Sequence, residues 1–396
     1  MKKIISINCG SSSLKFQLYN MPSEEVVTSG IAERIGLDNS IFTIKVNDQK
    51  HVLNVDLQTH EVAVKLLLES LIKYNIVKDL DEIIGVGHRV VQGGTTYNKS
   101  VLVDNTVVKA VEDNSELAPL HNPANLVGYF ALKEALPNVK HAFVFDTAFH
   151  QTIKESSYIY PIPYQWYSEY KVRRYGAHGT SHLYVSQRAI DLLDLKDKPS
   201  KIITCHLGNG ASITAVKDGE SINTSMGFTP LGGIMMGTRS GDLDPAIVSF
   251  MAKKLNKSAQ DIIDLLNKNS GMLGVSGVSS DARDIQQLVD ENNPRGILTQ
   301  EIYVNRVINV IGGYVFQMGG VDAIVFTAGL GENDIYLRGK ILNAMQEALG
   351  LSIDDDLNNT RGQELKISKD DSKVNVYVIP TDEELIIARD TYNLIN

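Results

Sequence analysis

The sequence predicts an α/β protein built from two similar halves, and three glycine turns carry that expectation. In the first, an apolar run at 3–7 enters Asn8-Cys9-Gly10-Ser11-Ser12-Ser13 and leaves as a second β-like run over 14–19. Half a chain later, the run 201–205 enters His206-Leu207-Gly208-Asn209-Gly210 and returns over 211–216. The third stretch, 322–327, meets a glycine turn, Ala328-Gly329-Leu330-Gly331-Glu332-Asn333, with helix-like sequence after it. Identity between the first two segments is weak, so what repeats is the construction: strand, tight turn, returning strand. Such a turn offers backbone N–H groups, hydroxyls and, in the first case, Lys15 to a single anion, which is the inventory a phosphate needs. Two halves facing each other, each with one such hairpin, would hold a nucleotide's phosphates in the cleft between them.

Composition narrows the class. A chain of 396 residues is long enough for two domains with full cores. A net charge of −9 argues against a general nucleic-acid binder, so an anionic ligand must meet a local basic cluster. No apolar run reaches membrane-spanning length, and the N-terminus lacks the pattern of a signal peptide, which points to the cytosol. Cys9 and Cys205 each end a strand just before a glycine turn and read as small core residues, not as a disulfide.

Taken in order, the chain next shows strands at 41–46 and 51–55 and a helix at 61–74 with Val62, Leu66, Leu67 and Leu71 as its apolar residues. A strand at 83–91 delivers His88 and Arg89; a helix follows over 124–136, and a strand at 142–145 delivers Asp146. Strand, helix, strand in this order implies a mostly parallel sheet with sites at the C-terminal strand ends. A short crossover near 147–150 separates a first domain, 1–147 with 383–396 returning to it, from a second, 148–382.

The aromatic stretch 158–175, which holds Trp166, reads as packing between domains or subunits. His178-Gly179-Thr180-Ser181-His182 opens a helix running to 193, with Thr180 or Ser181 as its N-cap, so His178 stands beside an anion-favouring helix terminus. His178 and His182 have the spacing of a zinc half-site, but the glutamate of HExxH is Gly179 and zinc is set aside. A glycine-rich loop over 227–241 carries Arg239 near its end. Asp244-Pro245, the Ser258/Asp261 box and Asp281 start further helices, the second of which closes near Gly271. Long helices follow at 296–318 and 334–349, then a strand at 374–379 and a capping box of Thr381 with Glu384 for the last helix.

The chemistry these turns can do is phosphoryl transfer. Neither G-x-x-x-x-G-K-[ST] nor G-x-S-x-G is present, and His88-Arg89 is followed by Val90 and not Asp. What stands at the turns is a set of cations, carboxylates and amides: Asn8, Lys15, Arg89, Asp146, His178, His206, Asn209, Arg239, Arg283 and Glu383. Positioning and charge stabilisation supply nearly all the catalysis of phosphoryl transfer, and these residue types supply both.

Ten blocks in order, INCGSSSLKFQL, GHRVVQGG, PLHNPAN, FDTAFH, RRYGAHGTSH, CHLGNGASI, GTRSGDLDP, DARD, TAGLGEN and IPTDEE, give the chain a further likeness. Over essentially its whole length it resembles the acetate kinase (acetokinase) family, within the superfamily of sugar kinases, actin and the heat-shock chaperone ATPases. The resemblance implies an α/β fold of two duplicated actin-like, ribonuclease-H-like ATPase domains. It implies reversible, Mg²⁺-dependent transfer from ATP to acetate, giving acetyl phosphate and ADP, with Mn²⁺ as an alternative ion and a homodimer as the assembly. Roles follow by position. Asn8 and Glu383 serve the metal; Arg89 lies near the substrate carboxylate; Asp146, His178 and Arg239 are catalytic. Lys15 and the turns His206-Leu207-Gly208-Asn209-Gly210, Asp281-Ala282-Arg283 and Gly329-Leu330-Gly331-Glu332-Asn333 hold the nucleotide. Val91, Leu120 and Pro230 match the pocket for the acetate methyl, while a fourth pocket position, often Phe in the family, is Ala177 here. That departure leaves a propionate kinase as the alternative. An actin- or chaperone-like ATPase is disfavoured, because Arg89, Arg239 and His178 make room for a second small anion.

Overall fold

The computed structural model describes residues 2–119 and 121–396. They form two compact units, Met1–Phe149 with Asp382–Asn396, and His150–Thr381.

Among the described residues, the first unit holds an eight-stranded sheet of β1 (Lys2–Gly10), β2 (Ser13–Met21), β3 (Glu25–Glu33), β4 (Ile41–Val46), β5 (Gln49–Asn54), β6 (Ile83–Val90), β7 (Val101–Leu102) and β8 (Lys140–Phe145). Its order is β5-β4-β3-β2-β1-β6-β8-β7. β1 to β5 form an antiparallel meander, and β1, β6 and β8 run parallel. Alternation along β1 and β2 sends Ile5, Ile7, Leu14, Phe16 and Leu18 to one face, into a core shared with Leu67, Leu71 and Leu132 of the helices His60–Lys73 and Asn122–Ala135. The helix Glu383–Ile395 packs against β6 through Gly87. A β-carbon at Gly87 would lie 2.2 Å from Thr391 Oγ1 and 2.5 Å from Ile387 Cγ2, so only glycine lets the helix seat there. By this packing the C-terminal residues bring Glu383 into the first unit's sheet region.

The second unit's sheet, among the described residues, holds β9 (Lys201–Leu207), β10 (Ala211–Lys217), β11 (Glu220–Thr224), β12 (Ala323–Thr327), β13 (Leu365–Lys366) and β14 (Asn375–Val378), in the order β11-β10-β9-β12-β14-β13. Three antiparallel strands are followed by two parallel ones. The central five of the first unit, β3-β2-β1-β6-β8, have this same order and the same directions. The repeated hairpins are thus the first two strands of one duplicated topology. On one face Ile203, Cys205, Ile324 and Phe326 meet Tyr303, Val307 and Ile311 of the helix Pro294–Met318. On the other, Thr204 and His206 point towards the helix Gly179–Leu192.

Several expectations need correction. β3 was not anticipated; its centre, Thr28-Ser29-Gly30, reads locally as a turn, and pairing with β2 and β4 makes it a strand. Neither Thr180 nor Ser181 caps a helix. The cap position falls to His178, in the left-handed region at φ 56 with no side-chain capping bond, and Ser181 is buried. The stretch after β12 is a short helix, Ala328–Asn333, and not a glycine turn. Gly271 does not close a helix: Ala259–Lys268 ends before it, and Gly271, at φ +60, begins another, Gly271–Ser276. The last helix is capped by Asp382, whose Oδ1 accepts from Leu385 N at 3.0 Å, and not by Thr381. The Ser258/Asp261 capping box and the Asp281 cap form as expected. The aromatic stretch splits. Tyr158 and Tyr175 are buried against the Arg173 guanidinium, while Tyr164, Trp166 and Tyr170 are exposed.

Candidate active site

In the first unit, four sequence-predicted residues arrive from separate elements. Asn8 comes from the end of β1, Arg89 from the end of β6, Asp146 follows β8, and Glu383 opens the last helix. Asp146 is fully buried, and its backbone N–H donates to Val90 O at 2.9 Å, which fixes the chain where it leaves the strand. The Arg89 guanidinium donates from Nε to Asp146 Oδ1 at 3.0 Å and from Nη2 to Oδ2 at 2.5 Å, while Nη1 reaches Asn8 Oδ1 at 3.3 Å. Burial works against the Arg89 charge, but Asp146, with Glu383 and Glu384 beyond it, outweighs that and raises its pKa. Lys15 forms an ion pair with Glu384. Val91 is buried, its N–H held by Asn125 Oδ1 at 3.2 Å, and Leu120 lies outside the described residues.

In the second unit the hairpin β9–β10 is the organising feature. A β-carbon at Gly210 would stand 3.4 Å from Arg239 Nη2 and 3.6 Å from His178 Nε2, so both side chains look onto this turn. Arg239 is anchored by Nη1 to Pro230 O at 2.9 Å, and no ion pair meets its charge among the described residues. Burial therefore lowers its pKa, and an anion at the turn would relieve that cost. His178 stacks on His206 with ring centroids 4.0 Å apart, and its Nδ1 lies 2.8 Å from Ser212 Oγ. Gly237 lets the Arg239 loop approach, since a β-carbon there would fall 1.9 Å from Asn209 Oδ1.

Beside this turn lies a cavity of about 660 Å³ lined by Asn209, Asp281, Ala282, Arg283, Gly329, Leu330 and Asn333, together with Ser280, Gln286, Asp334, Tyr336 and Arg361. The first seven come from the three turns singled out in the sequence. The other five are ordinary surface types with no sequence signal of their own, drawn from helices and loops, and only folding brings them to one wall. Asp281 caps its helix and pairs with Arg283 at 2.6 Å, which holds its carboxyl below the usual range. Other predicted residues have structural partners. Leu207 is buried, and Gly208 N donates to Gly210 O at 3.1 Å. Glu332 turns inward, accepting from Ala328 N at 2.8 Å and Thr381 N at 3.2 Å. Gly331 O accepts from the buried Arg338 at 2.8 Å. The supporting role of Ser212 and Thr204 around the histidines has no sequence signal, since they are isolated hydroxyls in strands, and Ser181, expected as a helix cap, instead bonds to His206.

Two sheets of one duplicated topology, each with polar side chains at its strand ends, define the class: a two-domain α/β phosphotransferase of the actin-like ATPase fold. The chain belongs to the acetokinase family, whose model matches residues 3–389. It is 54% identical over 394 residues to an acetate kinase of Bacillus subtilis, covering both chains completely. Among solved structures it is similar to an acetate kinase of Porphyromonas gingivalis, at 45% identity, full coverage of both chains and a TM-score of 0.94. It is also similar to a propionate kinase of Francisella tularensis, at 39% identity, full coverage of both and a TM-score of 0.93.

Proposed function

We propose that this protein is an acetate kinase, transferring the γ-phosphoryl group of ATP in line to acetate and, in reverse, from acetyl phosphate to ADP. The observation that supports this best is the continuity of one turn: Asn209 lines the large cavity, and Gly210 beside it faces both Arg239 and His178. A nucleotide whose base and ribose fill the cavity would carry its phosphates along the turn towards these two side chains. The second unit thus acts as the nucleotide domain and the first as the acceptor domain.

Acetate arrives ionised at neutral pH, with a pKa of about 4 to 5 like the acidic side chains, so its attack needs no general base. The obstacle is repulsion between a carboxylate and an anionic phosphate. Arg89 binds the acceptor carboxylate; Arg239 and His178 stabilise the charge spread over the transferring group. Asp146, engaged by both of its oxygens, holds Arg89 in place.

Magnesium fits the oxygen donors Asn8 and Glu383, which would hold it. When bound, it would neutralise phosphate charge. Magnesium of this kind usually keeps several waters and takes phosphate oxygens beside one or two protein ligands. Lys15, Leu207, Gly208 and Gly331 complete the nucleotide assignment, with Glu332 bracing the backbone of that turn, and Val91, Leu120 and Pro230 make the acyl pocket. A homodimer in the cytosol completes the reading, and the exposed Phe250 and Phe316 are the kind of apolar surface a second copy covers. The small Ala177, buried at a pocket position, favours propionate as the second reading. Acyl phosphate formation from Mg-ATP with each acid tests the proposal, and ATP hydrolysis without acyl phosphate would reject it.

A further inference from the structure

The nucleotide half-site contains a chain of hydrogen bonds behind His178 that its direct role in phosphoryl transfer does not account for. His178 Nδ1 lies 2.8 Å from Ser212 Oγ. The same oxygen lies 2.7 Å from His182 Nε2, and His182 Nδ1 lies 2.7 Å from Thr204 Oγ1. Thr204 Oγ1 in turn donates to Thr214 O at 3.5 Å. Ser212, His182 and Thr204 are all fully buried.

A hydroxyl has one proton, so Ser212 accepts from one histidine and donates to the other. A carbonyl can only accept, and the chain ends on one. With Thr204 donating to the carbonyl, the chain runs in one direction: His182 Nδ1–H donates to Thr204, Ser212 donates to His182 Nε2, and His178 Nδ1–H donates to Ser212. This direction is required whenever His178 is an imidazolium, because both of its nitrogens then carry protons. His182 must stay neutral for the chain to hold, and burial, reinforced by His150 and His206, keeps its pKa well below the ordinary value.

We infer that Ser212 and His182 are positioning residues for phosphoryl transfer, fixing His178 as an Nδ1 donor so that Nε2 faces the turn at Gly210 and Arg239. This rests on the proposed kinase reading. The strained cap supports it: His178 sits at φ 56, where a non-glycine residue needs its surroundings to hold it. Around metal-bound histidines, partners of this kind orient the ring and set its tautomer at a cost of about 10–100-fold when lost, and the same orienting logic applies to His178. His206, stacked on His178, and Arg239, across Gly210, also face it. Neither replaces the bond at Nδ1.

The test is a double-mutant cycle on the full-length protein, using Ser212→Ala and His178→Gln with Mg-ATP and acetate. Ser212→Ala should lower kcat by about 10–100-fold with both KM values within about twofold. In the His178→Gln background it should change kcat by less than about twofold, since the group it positions is gone. His182→Gln, which keeps an amide at the Nε2 position, should retain more kcat than His182→Leu. An equal loss in both backgrounds, or no loss in Ser212→Ala, would overturn the inference. Nitrogen-15 NMR of the histidines reads the same bond without turnover. A protected Nδ1–H of His178 should be present in the parent and absent in Ser212→Ala, and its persistence would overturn the inference. A parent that makes no acyl phosphate would instead reject the kinase reading, with the NMR comparison still deciding the bond.

Discussion

Arg89 grips Asp146 with one edge of its guanidinium, Nε to Oδ1 at 3.0 Å and Nη2 to Oδ2 at 2.5 Å, in a pocket where Asp146 has no solvent exposure. Bidentate pairs of this kind fix direction as well as charge. The carboxylate therefore aims Arg89. Asp146→Asn should raise the KM for acetate about tenfold or more, the scale of losing a charged hydrogen bond of about 1.5–3 kcal/mol. Steady-state kinetics decide the matter: a large fall in kcat at unchanged acetate KM would instead mark Asp146 as a base.

Arg239 should behave like an arginine finger. Arg239→Ala should lower kcat on the order of 10³-fold, and Arg239→Lys should recover only part of that, because the planar fork is lost. Hydroxylamine trapping of acyl phosphate measures both, and near-normal kcat in Arg239→Ala would remove it from the transition state.

Glu332 holds the backbone of Ala328 and Thr381 and stands apart from the cavity wall. Glu332→Ala should cost about 1–3 kcal/mol through the unpaired N–H groups. For a unit of this size that lowers Tm by about 3–10 °C. A raised KM for ATP at unchanged Tm would show that the carboxylate meets the nucleotide directly.

Acid should weaken the first unit through a pair of buried histidines. His88 Nε2 and His141 Nδ1 are 2.9 Å apart beside Tyr129 and Phe143. Burial, with Lys133 nearby, lowers the His141 pKa to about 4; burial and His141 push His88 well below its ordinary value. Below pH 6.5 the unfolded chain binds protons that the folded one refuses, so stability falls as pH drops from 6.5 towards 4. Tm measured across that window should decline, and His141→Phe should flatten the decline. An unchanged slope in that variant would assign the acid sensitivity elsewhere.

Much of this was legible because phosphate chemistry writes itself into local sequence. The glycine turns at Gly10 and Gly208, and the strand ends carrying Arg89 and Asp146, stand at the ends of the apolar runs that predicted these strands. β3 was hidden because Thr28-Ser29-Gly30 is strand only by virtue of its neighbours. The cap at His178 was misread because local propensity favours Thr180 and Ser181, whereas burial and the bond from Ser181 to His206 draw them into the helix. Arg361 reaches the cavity from a separate loop, and Tyr336, three residues beyond Asn333, does so only because the helix that begins at Ile335 turns it there.

The central claim is transfer of phosphate to a short carboxylate, and its direct measurement is acyl phosphate trapped by hydroxylamine from Mg-ATP with acetate, propionate and butyrate in parallel. The account predicts strong acetate turnover that falls with chain length, by about 1–3 kcal/mol for the first added methylene. Equal or better propionate turnover would transfer the assignment to a propionate kinase. ATP hydrolysis with no acyl phosphate from any of the three would contradict the account.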